Sequence, residues 1–364
     1  MTTGERGIDH KMTGKLKIKQ LAELTGLSQS TVSRVLAGKT NVSQLAKEKV
    51  FTHARAMGIL RDIPASRLLM NTLLICAPAA AFTPHGDHYY YEVIQGIYSE
   101  VSRYDIHIKK CALEINDADV SLFMKAMAEA DIDGIVIIGI DDDVLYRLAS
   151  QTAKPIVTIN AKDKHMRTDC VSPDHYAIGY SAANYLFGKG HFPVLLFTDL
   201  RRDTMMQRLD GFKRACQAHN VIFDEARHLL VTKGYGEQEA RTHIEKYLEQ
   251  RDRGELPSAI LCGGGAIAQA VIKAVQSHGL KVPEDISVMS FVYAHDNKLA
   301  GGGELTAVNL PCRELGTEAV HILQSRLTRE VSHVFNLLLQ GTITPGETVS
   351  DVNWKRKALY QRHP

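Results

Sequence analysis

The sequence of 364 residues has no apolar run approaching the ~20 residues that a bilayer-spanning helix needs. Ile135 to Ile140 stops after six residues at Asp141-Asp142-Asp143, so a membrane protein is excluded. Its six cysteines lie 35 to 59 residues apart with no C-x-x-C pair, which removes the usual zinc and redox frames and leaves them as small buried hydrophobes. Behind the basic residues of MTTGERGIDHKMTGKLK there is no apolar stretch, so this is not a secretory signal and a cytoplasmic chain is expected. Aromatics are 7%, charged residues 23% and hydrophobic residues 45%, a composition that excludes disordered and collagen-like chains. The length exceeds what one core organises and predicts two or three packing units.

The net charge of +2 conceals an asymmetry. Residues 1 to 70 carry 12 Lys and Arg against 5 Asp and Glu, whereas the remainder carries 31 against 36. A basic head on an acidic body is what a nucleic-acid-binding module joined to a different domain shows, because clustered cations attract phosphate. The plain alternative is a solvated basic tail. Pattern decides against it: from Ile18 the chain reads IKQLAELTGLSQSTVSRVL, two short apolar faces separated by Thr25-Gly26-Leu27-Ser28. Gly26 tolerates the positive φ that reverses the chain, and Ser28 suits the N-cap of the second helix. Gln29, Ser30, Ser33 and Arg34 remain polar on that helix, the layout of a helix-turn-helix whose amides and hydroxyls reach base edges and whose arginine can fork onto guanine. A third amphipathic segment, Ser43 to Met57, completes a three-helix headpiece.

After residue 71 short apolar strands alternate with amphipathic helices, first from Thr72 to Ile159 and again from residue 175 to Phe291. This predicts two doubly wound parallel-sheet subdomains in tandem, with a ligand cleft between the carboxyl ends of their strands. The fold class is therefore multidomain, an all-α helix-turn-helix headpiece plus an α/β body.

The run LAELTGLSQSTVSRVLAGKTNVSQLAKEKV resembles the headpiece of the lactose-repressor (LacI/GalR) family, with Leu27 in place of that signature's valine. Asp133 to Gly139, Gly190-His191, Arg208 to Phe212 and Gly279 to Val288 extend the resemblance over nearly the whole chain, to about residue 340, and imply a periplasmic-binding-protein-like body. It implies a sequence-specific DNA-binding transcriptional regulator, most consistent with a repressor, controlled by a small metabolite (a sugar, sugar phosphate or sugar acid), with no enzyme activity, metal or cofactor. Its DNA contacts would be Ser28, Gln29, Ser30, Thr31, Ser33, Arg34, Asn41 and Ser43, with Ala65 and Leu68 in a hinge that inserts a leucine wedge into the minor groove. The alternative for Leu68 is a linker hydrophobe. Ile59-Leu60-Arg61-Asp62 departs from the family's Tyr-x-Pro-Asn before the hinge.

The implied organisation is a tail over 1–14, a headpiece over 15–61, a hinge over 62–71, a body over 72–345 and a basic tail over 346–364. Within the body, the first subdomain takes 72–172 and 299–328 and the second takes 173–298 and 329–345. Helix-turn-helix heads bind palindromes as dimers, so a homodimer on double-stranded operator DNA is expected; the tail carries no leucine heptads.

Effector contacts implied in the cleft are Tyr89, Tyr90, Arg202, Thr204, Arg208, Tyr235, Gly264 and Gly265. Two aspartates of the relatives' cleft are replaced, by Gly265 and Val292, while Arg202 and Arg208 remain, so an anionic effector is expected. Two rival readings come from glycine and histidine patterns. Gly263-x-Gly265-x-x-Ala268 matches part of a dinucleotide fingerprint and allows a nicotinamide-dependent enzyme, though the acidic residue at the end of the next strand is missing. His85-Gly86-Asp87-His88 allows a metal site, or a solvated loop with a helix cap.

Overall fold

The computed structural model describes residues 14–39, 41–62, 68–114, 119–161, 163–234, 236–293, 297–299, 301–329 and 332–352. Three helices, α1 (Gly14–Thr25), α2 (Gln29–Leu36) and α3 (Gln44–Ala56), form the headpiece. Gly26 takes φ +69°, and the Ser28 hydroxyl accepts from the Thr31 amide at 3.1 Å, so the turn and cap stand where the sequence placed them. Leu21, Val32, Val35, Val50 and Ala54 are buried together, a core separate from those of the body.

The first half of the body runs β1 (Thr72–Pro78), α4 (His88–Val101), β2 (His107–Leu113), α5 (Val120–Met127), β3 (Gly134–Ile138), α6 (Asp143–Ala149), β4 (Ile156–Ile159) and β5 (Asp169–Pro173). The second runs α7 (His175–Gly188), β6 (Val194–Asp199), α8 (Asp203–Ala218), the single turn α9 (Glu225–His228), β7 (Leu229–Thr232), α10 (Glu237–Glu249), β8 (Ala259–Cys262), α11 (Gly265–Ser277), β9 (Ser287–Tyr293) and β10 (Thr306–Leu310). The chain returns through α12 (Cys312–Thr328) and β11 (Asn336–Leu339) to the first sheet and ends in the second with β12 (Thr342–Thr344). Strand orders are β11-β5-β4-β3-β1-β2 and β12-β10-β9-β8-β6-β7, parallel except for the β10–β12 pair. The central strands β1, β3, β6 and β8 are buried throughout, as expected where helices cover both faces of a parallel sheet.

The subdomain boundaries differ from those expected. Thr306 to Leu310 does not return to the first subdomain near residue 299: it pairs in parallel with β9, Thr306 opposite Met289, and extends the second sheet. The return begins at Cys312, where α12 packs on α4, and lasts to Leu339, which pairs with Pro173. The run Thr-Ala-Val-Asn-Leu is short and interrupted by Asn309, so the apolar pattern alone hid the strand. All six cysteines are buried and unbridged, as small hydrophobes. No helix among the described residues is long and apolar enough to cross a membrane.

Backbones meet closely where α7 crosses α8. A Cβ on Gly179 would lie 2.2 Å from the Arg208 carbonyl oxygen, and one on Gly211 would lie 2.1 Å from that of Tyr176. Because α8 carries Arg208, any widening of this crossing also moves that guanidinium. Gly179→Ala should lower stability to urea by about 1–3 kcal/mol, the usual cost of overpacking; an unchanged midpoint would show that the crossing can spread freely.

Candidate functional site

On the headpiece, Ser28, Gln29, Ser30, Ser33 and Arg34 are exposed along one face of α2, Thr31 is half-buried beside its cap, and Asn41 and Ser43 are exposed before α3. Burial of Val32 and Val35 under the opposite face forces this presentation. Ser43 also caps α3, its hydroxyl accepting from the Ala46 amide at 3.3 Å. The hinge residue Ala65 lies outside the described residues. Leu68 is only 5% exposed and belongs to the apolar cluster of the body, while Leu69 packs with the headpiece. Insertion of Leu68 into a minor groove therefore requires it to leave a formed contact.

In the body, the residues expected to line the cleft form a hydrogen-bonded chain from one subdomain to the other. Arg202, at the start of α8, reaches across to Asp141 after β3 at 2.8 Å and to the Asn160 carbonyl after β4 at 2.8 Å, and it donates to the Tyr90 hydroxyl. Burial opposes its charge, but Tyr90 and Asp141 outweigh that and hold its pKa above the ordinary value. The Asn160 amide nitrogen also donates to Tyr90, at 3.1 Å, and Asn160 Oδ1 lies 2.8 Å from His175 Nε2. Arg208 Nε donates to His175 Nδ1 at 3.0 Å, Arg208 Nη1 reaches the Gly263 carbonyl at 3.4 Å, and its guanidinium lies 4.5 Å from the centre of the Phe291 ring. With Nδ1 accepting from an arginine, His175 is the neutral tautomer whose Nε2–H donates to Asn160. Burial, then Arg208 and Arg202, keeps its pKa well below the usual histidine value.

This arrangement changes two sequence expectations. Tyr90 is buried and its hydroxyl is committed to Arg202 and Asn160, so it braces the cleft more than it offers a ring face. The charge of Arg202 is offset by Asp141, and Arg201 is bound to Asp199, so the case for an anionic ligand rests on Arg208 alone. Asn160, His175 and Asp141 were missed by sequence reasoning. The available signals were Asp141-Asp142-Asp143 closing a buried strand and a histidine just after Asp174, the N-cap of α7.

Other cleft positions keep unused polar capacity. Tyr89 is edge-on to Tyr90 and to Tyr293 of the second subdomain, with its hydroxyl buried and without a hydrogen-bond partner among the described residues. Burial raises its pKa well above normal, so it stays a neutral donor. Thr204 is buried in the first turn of α8, and its hydroxyl is equally unmatched. It faces β5 and β11 across a cavity of about 130 Å³ that also includes Thr168 and Gln207. Tyr235 lies outside the described residues. Gly264 has an ordinary extended backbone and Gly265 opens α11 with Val292 4.0 Å from where its Cβ would be.

Strand packing accounts for the first glycine of this turn without a dinucleotide. A Cβ on Gly263 would meet the Thr198 hydroxyl at 2.4 Å, so this glycine is required by strand packing. Asp87 caps α4 by accepting from the Tyr90 amide at 3.2 Å, and no group of residues able to hold a metal occurs among the described residues.

Two outcomes follow. The Asp141–Arg202 contact should give a coupling of about 0.5–1 kcal/mol in a double-mutant cycle with Asp141→Asn and Arg202→Gln, because Arg202 is largely buried but Asp141 stays partly open to water; additive losses would mean that the bridge does not hold the halves together. His175 takes up its proton near pH 6.5 only when unfolded. Stability contributed by its neutral form is therefore complete above that pH and lost below it, by up to about 1.4 kcal/mol per pH unit until the native pKa is reached. His191 and His228, also lowered by burial, steepen the same slope. Urea midpoints of His175→Gln between pH 6.5 and 5 should fall less steeply than those of the parent; parallel profiles would contradict a neutral His175.

Comparison with known proteins places both halves of this arrangement. Residues 17–58 match the model for bacterial regulatory proteins of the lacI family, and residues 183–349 match the periplasmic binding protein-like domain. The chain is 24% identical over 316 residues to the HTH-type transcriptional repressor PurR of Histophilus somni (strain 129Pt), covering 86% of this chain and 92% of that one. It is 26% identical to the PurR of Photobacterium profundum, covering 85% and 91%. Among solved structures, the transcriptional regulator CelR–cellobiose complex superposes with a TM-score of 0.65 at 20% identity, covering 91% of this chain and 99% of that one. The lac repressor dimer bound to operator and an anti-inducer gives 0.64 at 20%, covering 91% and 98%. The chain thus joins a helix-turn-helix domain of the lacI family, over residues 17–58, to a periplasmic-binding-protein-like body, and along most of its length it is similar to HTH-type transcriptional repressors.

Proposed function

We propose that the chain is an operator-binding repressor whose grip on DNA is set by a small oxygen-rich metabolite bound between the two subdomains. The observation that carries the ligand reading is the buried Tyr89 hydroxyl, which has no partner among the described residues and lies within electrostatic reach of Arg208 and Arg202. A buried hydroxyl left unsatisfied costs free energy, and a ligand oxygen in the cleft would relieve that cost. Arg208 would supply further donors, with the Gly263 to Gly265 turn closing the far side. A sugar phosphate or sugar acid suits these donors; a neutral sugar remains compatible because Asp141 already balances Arg202. The ligand would alter operator affinity by as much as it discriminates between bridged and open arrangements of Arg202. The cellobiose-bound CelR supports a small-molecule effector for this fold, and the relatives named transcriptional repressors support the repressor reading.

On DNA, the exposed face of α2 would enter the major groove, with Arg34 as the base-reading residue, and two copies of the chain would read a palindrome. Arg34→Ala should cost about 1–3 kcal/mol of discrimination between operator and random DNA, whereas Lys39→Ala should weaken both alike; anisotropy titrations on both duplexes separate the two. Equal losses on both duplexes for Arg34→Ala would remove it as a specificity residue. For the ligand, a thermal-shift screen of neutral sugars, sugar phosphates, sugar acids and purines should give stabilisation that is lost in Arg208→Ala. A compound that stabilises both proteins equally would contradict the assigned cleft.

A further inference from the structure

A second cavity, of about 470 Å³, lies away from the cleft, where α3 of the headpiece rests on the first subdomain near the amino-terminal ends of β3, β4 and β5. We propose that this seam is a binding site for a small organic anion, a phosphate ester or carboxylate with an apolar body, contacted by headpiece and body together.

The charges around the seam support this. Lys47 of α3 pairs with Asp133 at 3.4 Å, Arg326 grips Asp169 with two nitrogens, and Arg167 is held by Asp143 and Asp163. Two cations are not neutralised in this way. Arg55 spends one hydrogen on the Leu327 carbonyl at 3.1 Å, and its buried Nε–H has no partner among the described residues. Lys154 donates to the carbonyls of Met127 and Glu129, at 2.9 and 2.6 Å, and neither it nor Arg55 forms an ion pair among the described residues. Glu48, exposed on α3, and Asp131, Asp133 and Glu129 act on Lys154, so the case for an anion rests on Arg55. On the body side, the Thr168 hydroxyl is buried and unmatched. A buried N–H on one wall and a buried hydroxyl on another are groups that a ligand acceptor would satisfy. Phe51, Ile132, Ile156 and Leu327 supply apolar lining, and the volume falls in the range of small-molecule sites, which favours an organic anion over a bare inorganic one. Because the walls come from both units, an occupant would be sensitive to where the headpiece sits, and by linkage would report operator binding.

The test uses the full-length chain carrying Arg208→Ala, so that loss of cleft binding and loss of seam binding can be told apart. Calorimetric titrations with AMP, glucose 6-phosphate and citrate are compared with adenosine and glucose. At least one of the three anions should bind, with affinity at least tenfold weaker after Arg55→Gln and also reduced after Thr168→Val, while the neutral compounds do not bind. In case either substitution disturbs folding, isoleucine-methyl NMR of the otherwise unaltered chain gives a second readout, in which the binding anion should shift Ile132 and Ile156. Failure of all three anions, binding indifferent to Arg55, equal binding of the neutral compounds, or unmoved Ile132 and Ile156 signals would each overturn the proposal.

Discussion

Arg202 is the residue on which the arrangement of the body turns. It leaves the second subdomain at the start of α8 and finds its acceptors, Asp141, Tyr90 and the Asn160 carbonyl, entirely in the first. From there the bonds pass through Asn160 and His175 to Arg208 and back to the second sheet at Gly263. Tyr90, Asn160, His175 and Arg208 are buried, so losing a neighbour would strand a polar group away from water, whereas Asp141 at the outer end stays partly open to solvent. Even the surrounding backbone is fitted to it. Gly139 has φ +65°, and a Cβ there would lie 2.3 Å from the Tyr90 ring. Asn160 itself takes φ +51°, a conformation that asparagine tolerates better than most residues.

The separation of charge along the sequence has a structural counterpart. The polar face of α2, with Arg34 on it, is turned to solvent, while α3 brings Lys47 onto the acidic body at Asp133. The same carboxylate oxygen accepts from the backbone amides of Asn71 and Thr72, at 2.7 and 3.2 Å, so one side chain fixes the entry of β1 and receives the headpiece. Asn71 in turn donates to the Lys39 carbonyl at 3.4 Å. A few polar contacts thus join two cores that are otherwise separate.

How much of this could be read from the sequence depended on whether the signal was local. The turn at Gly26, the cap at Ser28 and the buried strands of both sheets are written in short patterns, and all are found in the structure. Strands β10, β11 and β12 are short, lie after long helical or irregular stretches and pair far along the chain, so period-two patterning had too few residues to reveal them. The cleft was legible as a set of residue types, Arg202, Arg208, Tyr89 and Tyr90, but not as a circuit. That Asp141 sits opposite Arg202, and that a histidine bridges Asn160 and Arg208, follows from three-dimensional closure of strand ends separated by dozens of residues. The anion expectation rests on fewer groups than the sequence suggested for the same reason: it counted lost aspartates at Gly265 and Val292 and could not see the one supplied across the gap.

The three passages between subdomains lie side by side. The Asp174 amide in the first donates to the Leu339 carbonyl in the third at 2.8 Å, and Gly341 sits against Asn309 and Ile178. A polypeptide that crosses a boundary three times has redundancy at that boundary. Cutting any one passage would leave the halves tethered by two others, still in register, so a nicked body would keep its shape and travel as one particle. The same bundling restricts relative movement to bending and twisting about a narrow waist, since sliding would shear three adjacent peptides at once.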